Sequence, residues 1–212
     1  MASAAIVAAL VVESASRPAH VVMSRHGATD WSEEGRHTGW TDLPLNDLGR
    51  SQAAALRPAL SGRRFALVLT STLERARTTC ELAGFGDVAV ADPDLREWHY
   101  GAYEGLTSAQ IREKRPGWTI WDDGVVEGES IADVGARADR VIARIRDTED
   151  DVLLFAHGHF LRILCARWLG KPPVLARHLM LSPAALSILG WEHEWPAVQQ
   201  WNSPAAGATV AP

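Results

Sequence analysis

Lysine is almost missing from this chain. Lys114 and Lys171 are the only lysines among 21 basic residues, so arginine carries nearly all the positive charge. Arginine offers a planar fork that fits phosphate or carboxylate bidentately, a first pointer toward an anionic ligand. A basic excess is missing too: 26 acidic residues leave a formal net charge of −5, which argues against the basic face that nucleic-acid binding needs. Cysteine is scarce. Cys80 and Cys165 stand in apolar-periodic stretches, outside any C-x-x-C pair, and read as small buried thiols of a reducing compartment. Long hydrophobic runs are absent as well. The run at residues 4–12 ends at Glu13 and falls far short of the ~20 residues of a membrane span. It also lacks the basic segment that opens a secretory signal. A cytoplasmic protein without a membrane partner is the expectation. Phenylalanine (4) and tyrosine (2) are few, against nine tryptophans, several of which crowd the motifs below.

What is present is ordinary globular composition: 212 residues, 47% apolar and 22% charged. That is enough chain for one self-sufficient domain. We place it at residues 18–202, with a loosely held extension at 1–17 and an Ala/Gly/Pro-rich, uncharged tail at 203–212. Short apolar runs at 20–24, 66–71, 88–91 and 152–156 read as strands, and the first, second and fourth are continuously apolar, as in a parallel sheet covered on both faces. Runs at 185–191 and 197–201 suggest a hairpin or sheet edge. Helical patterns alternate with the strands. Asn46 or Asp47 caps one; a second runs over 73–83 and stops at Gly84; Thr107 and Gln110 form a capping box before a third, which Pro116 ends. Ser130 opens the longest, with Val134, Ala138, Val141 and Ile145 at helical spacing and Arg137, Arg140, Arg144 and Arg146 read as its solvated side. The alternation predicts an α/β fold, a three-layer α/β/α sandwich with a mainly parallel central sheet.

The chemistry-bearing residues stand where that fold delivers them. Arg25-His26-Gly27 follows the first strand, and His157-Gly158-His159 follows the strand at 152–156 and opens a helix. Arg75 falls in the first turn of the helix after the strand at 66–71. In an open α/β sheet, ligands bind outside the carboxyl ends of the strands, so two imidazoles and two guanidiniums are expected at one edge. Gly158 adds a helix N-terminus that attracts anions. Such a cup suits a phosphoryl group, with one neutral imidazole as nucleophile and the other protonated as donor. There is no Walker loop to cradle a nucleotide triphosphate. Glu97, among aromatic neighbours that would disfavour its charge, is a candidate acid, with Asp94 and Glu104 as alternatives.

Four blocks carry a family resemblance: Arg25-His26-Gly27-Ala28-Thr29-Asp30-Trp31 with the segment 35–45; Thr70-Ser71-Thr72-Leu73-Glu74-Arg75-Ala76-Arg77; Leu95-Arg96-Glu97 through Gly101 with Glu104-Gly105-Leu106-Thr107; and Phe155-Ala156-His157-Gly158-His159-Phe160-Leu161-Arg162. In this order they resemble the histidine phosphatase superfamily, phosphoglycerate-mutase-like branch, closest to its acid-phosphatase and sedoheptulose-bisphosphatase-like members. The resemblance implies His26 as phosphorylated nucleophile, Arg25, Arg75 and His157 as phosphate pocket, and Glu97 as proton donor. It also implies Ser32, Thr38, Gly39 and Tyr100 as substrate contacts, with Ser32 where mutases carry asparagine. Neither metal nor cofactor is expected, and the partner is a small phosphorylated metabolite. The H-x-H pair of His157 and His159 lacks a ligand at metal spacing, so His159 reads as a helix cap or pocket rim; His37 and His99 are left open. The tryptophans are either a drying wall for the site or core packing. The expected activity is hydrolysis of small phosphomonoesters, sugar phosphates foremost. A phosphoglycerate-type mutase and a silent phospholigand-binding module are the alternatives. The uncharged tail and the compact segment at 108–128 favour hydrolysis over the mutase.

Overall fold

The computed structural model describes residues 17–205. Most of the extension and tail read from the sequence therefore lies outside the described residues. In chain order the elements are β1 (Val21–Arg25), α1 (Asp30–Glu33), α2 (Asp47–Leu60), β2 (Leu67–Ser71), α3 (Glu74–Leu82), β3 (Val90–Asp92), α4 (Ser108–Lys114), α5 (Ile120–Asp123), α6 (Ile131–Arg146), β4 (Val152–Ala156), α7 (Gly158–Trp168), β5 (Leu186–Glu192) and β6 (Trp195–Ser203). Their starts obey local chemistry: Asn46 accepts from Gly49 N–H, and Thr107–Gln110 and Ser130–Asp133 close capping boxes. β6 continues to Ser203 and Ala205 is buried beside Val22 and Leu186, so the packed chain runs past the expected boundary at 202.

One six-stranded sheet runs in the order β3-β2-β4-β1-β5-β6. β1, β2, β3 and β4 are mutually parallel where they pair, while β5 and β6 run antiparallel along the edge as a hairpin. Because side chains alternate along a strand, Val21, Met23, Val152 and Leu154 enter one core and Val22, Val68, Leu153 and Phe155 the other. The first core is covered by α6 and α7 and the second by α2 and α3, giving the three layers.

The topology positions the site. β4 lies between β1 and β2, with Arg25 opposite Ala156 and Thr70 opposite Phe155. The carboxyl ends of three adjacent strands therefore finish level with one another. The loop after β1 rests directly on α2: a Cβ on Gly27 would lie 2.2 Å from the Gly49 carbonyl oxygen. That approach is open only to glycine and pins the peptide after His26.

Candidate active site

His26 is 4% exposed, and its Nδ1 lies 2.7 Å from the Gly27 carbonyl. A carbonyl only accepts, so Nδ1 carries the proton and Nε2 keeps its lone pair. Burial first, then the Arg75 and Arg25 cations, hold the His26 pKa well below its usual 6.5, so the ring is neutral. His157, wholly buried, faces it with ring centroids 5.2 Å apart. Its Nε2 meets the Ser71 hydroxyl at 2.8 Å, and that hydroxyl accepts from Leu73 N–H. With the Ser71 hydroxyl donating to Nε2, the His157 proton sits on Nδ1. Burial, followed by Arg75, also holds this ring well below 6.5. The expectation of a protonated His157 is thus corrected: its donor is a neutral ring's N–H, oriented by Ser71.

The guanidiniums are fixed by carbonyls. Arg25 donates Nη1 to Leu181 O (2.7 Å), and fully buried Arg75 donates to Thr41 O (3.0 Å), Thr38 O (3.2 Å) and Gly39 O (2.7 Å). Arg25 Nε, Arg75 Nε and His157 Nδ1 have no hydrogen-bond partner among the described residues. A buried donor left unpaired costs about 1–3 kcal/mol. Three such donors in the group around one imidazole are arranged for an anion with several acceptor oxygens.

Glu97 lies 4% exposed on the cavity surface. Its Oε1 accepts from Trp98 N and Phe160 N, both at 2.9 Å, and Oε2 from His159 N at 3.0 Å. Two sequence expectations change here. The α7 N-terminus beside Gly158 is occupied by the protein's own Glu97 carboxyl. And Glu97 sits among backbone donors rather than in an apolar box. The alternative acids are occupied elsewhere: Asp94 pairs with Arg140, and Glu104 Oε1 accepts from Gly39 N and Thr41 N.

Of these groups Arg25, His26 and Glu97 line a cavity of about 210 Å³, together with Ser32, Thr38, Tyr100 and Gly158, whereas Arg75 and His157, both fully buried, do not line it. Gly39 does not line it; its carbonyl holds Arg75. Ser32 lines it, and its hydroxyl accepts from Thr29 N–H (2.9 Å) to close the capping box of α1 while donating its one proton to Thr29 O (2.8 Å). The Tyr100 hydroxyl meets His159 Nδ1 at 2.5 Å, and burial, then the Glu97 charge, push the phenol pKa well above 10, so the phenol keeps its proton. His159 therefore lines the wall instead of capping α7. His37 joins that wall, whereas His99 packs on Trp40. No tryptophan lines the cavity; Trp98 and Trp118 are core.

Sequence reasoning missed several neighbours. Arg162 lines the cavity, stacked 4.8 Å over Trp121 with Nε and Nη2 on Ala176 O. Its place four residues after Gly158, on the same face of the helix, was a usable signal. Leu181 and Ala184 carried none: Ala184 adopts φ of 51° and donates to the carbonyls of Arg25 (3.1 Å) and His26 (3.2 Å).

The sequence pattern of the histidine phosphatase superfamily (branch 1) matches residues 21–204. The chain belongs to that family. It is 40% identical over 177 residues to an acid phosphatase of Mycobacterium tuberculosis, covering 82% of this chain and 87% of that one. It is 36% identical over 181 residues to the sedoheptulose 1,7-bisphosphatase of Saccharomyces cerevisiae, covering 70% and 67%. A solved structure of a Mycobacterium tuberculosis open-reading-frame product superposes with a TM-score of 0.84 at 36% identity, over 89% of this chain and 100% of that chain.

Proposed function

We propose that this histidine phosphatase hydrolyses phosphomonoesters of small, acidic sugar-like alcohols by two displacements at phosphorus. His26 Nε2 attacks phosphorus while the ester oxygen leaves with a proton from Glu97. Water then attacks the phosphohistidine, giving its proton to Glu97 and releasing phosphate, and His26 returns to its neutral form. Arg25, Arg75 and His157 Nδ1–H take the charge that moves onto the phosphoryl oxygens. The observation that carries this reading is a neutral His26 with Nδ1 pinned to Gly27 and Nε2 uncommitted, set in a group with three unpartnered donors.

The substrate's other end meets His37, Tyr100, His159 and Arg162. Arg162 is in no ion pair among the described residues, and its Nε and Nη2 are committed to Ala176 O, which leaves Nη1 for a ligand. A second acidic group on the substrate fits it, in keeping with a relative named for a 1,7-bisphosphate. A cytoplasmic site of action agrees with Cys80 and Cys165 being free thiols buried in separate cores.

The decisive experiment measures phosphate release and, after an alkaline denaturing quench that preserves the acid-labile phosphohistidine, incorporation of labelled phosphate. Wild type is expected to release phosphate without any bisphosphoglycerate, which separates hydrolase from mutase. His26→Ala is expected to lose both signals. Turnover or labelling that persists in His26→Ala sinks the reading, and a wild type inert on every phosphomonoester tried leaves a binding module.

A further inference from the structure

The arginine row of α6 does not behave as one solvated side. Arg140 and Arg144 pair with Asp94 and Asp92 at the surface, but Arg137 is 7% exposed. Its position one turn from Val134 and Val141 places it at the margin of the buried stripe. A buried guanidinium persists only where its donors are used, and all five of them are. Nε donates to Glu129 Oε1 (2.7 Å), Nη1 to the carbonyls of Asp94 (2.7 Å) and Arg96 (2.8 Å), and Nη2 to Glu129 Oε2 (2.8 Å) and the carbonyl of Glu97 (3.3 Å). Glu129 extends the grip. Its Oε2 accepts from His99 N (2.9 Å), its carbonyl from Trp98 Nε1 (2.7 Å), and its N–H donates to His99 O (3.0 Å). The guanidinium also lies 5.1 Å over the Phe160 ring, and Phe160 N holds Glu97 Oε1.

Residues 94–99 are thus held through their backbone from the α6 side, while the Glu97 carboxyl is held from the α7 side. We infer that Arg137, with Glu129, is the positioning residue for the acid. It touches neither substrate nor phosphorus and acts by fixing the peptide that carries Glu97, so its loss slows the steps that need Glu97 and spares those that do not. This rests on Glu97 being the proton donor.

Leaving-group dependence tests it. A nitrophenolate departs with little help, whereas an alkoxide must be protonated as it leaves. In Arg137→Lys the charge stays but the five-donor fork becomes three donors on one atom. Its kcat/KM, which reports phosphoryl transfer to His26 and not the phosphohistidine hydrolysis that both esters share, is expected to fall about tenfold or more on glycerol 2-phosphate and less than about threefold on p-nitrophenyl phosphate. Glu129→Gln, which keeps the guanidinium in place, is expected to show the same selectivity at smaller amplitude and serves if Arg137→Lys folds poorly. Glu97→Gln is expected to show it at larger amplitude, with no further loss on the alkyl ester when Arg137→Lys is added. Equal losses on both esters in Arg137→Lys and Glu129→Gln, with Glu97→Gln still selective, overturn the positioning role alone. A Glu97→Gln variant without selectivity overturns the acid assignment and this inference with it.

Discussion

The two sides of the cavity are built by different kinds of structure. His26, His157 and Arg75 stand at or just beyond the ends of β1, β4 and β2, where the ladder sets the relative height of neighbouring strands. His37, Tyr100, His159 and Arg162 face them from two loops and the first turns of α7, held by one another: a phenol on an imidazole, a near-parallel imidazole pair 6.3 Å apart, a guanidinium on an indole. The cup is specified by sheet register, and any α/β chain with the same strands inherits its shape. The wall is specified by contacts among loops, which can change one residue at a time without disturbing the sheet. Catalysis and selectivity should therefore come apart under mutation.

The largest effect expected belongs to the cup. Arg75→Gln removes a wholly buried cation behind His26, and kcat/KM should fall about a hundredfold or more, as when a preorganised charge at the transferring group is lost. The pH profile should move as well. His26 attacks as the neutral ring, so its depressed pKa keeps the enzyme active on the acid side of pH 6.5. Taking away Arg75 raises that pKa, and the acid limb of kcat/KM should shift to higher pH. It should still lie below 6.5, because burial is the larger cause. A loss of rate with an unmoved limb would show that Arg75 acts on substrate alone.

The same division governs what could be read in the sequence. Arg25, His26 and His157 were placed by counting from the ends of apolar runs, and Arg75 by one helical turn beyond another, because strand ends and helix starts leave local marks. Ser32 does line the cavity, but the commitment of its hydroxyl to Thr29 depends on a one-turn helix with no apolar period to announce it. Arg137 failed because an arginine among helical arginines reads as surface, and its burial is made tolerable by Glu129 together with the carbonyls of residues 94, 96 and 97, some forty positions away. Ala184, in a left-handed turn, left no mark at all. Local chemistry was legible, and partners brought by tertiary packing were not.

An intermediate effect sharpens the comparison from the wall side. Arg162→Gln should lower kcat/KM about tenfold on substrates with a second acidic group and leave simple monophosphates within about twofold, the loss of one charged contact in a part-shielded site. Steady-state kinetics on a sugar bisphosphate and its monophosphate measure this directly. Equal losses on the two would place Arg162 with the cup, and the division between the sides would dissolve.

The smallest effect concerns stability. Burial lowers the His37 pKa to about 4. The unfolded ring titrates near 6.5, so below that pH the unfolded chain takes up a proton that the folded chain refuses, and stability falls with pH until about 4. His26, His157 and His159 have the same sign, each held down by burial, but the two cup rings cannot be replaced without losing the chemistry. His37 can. In His37→Gln the side chain no longer titrates and still has an amide to offer Ser108, the present partner of His37 Nε2. The stability difference between pH 7 and pH 5.5, from urea midpoints, should shrink by about 1 kcal/mol relative to wild type. An unchanged difference would mean that His37 is hydrated enough in solution to accept its proton, and that this wall is looser than the cup it faces.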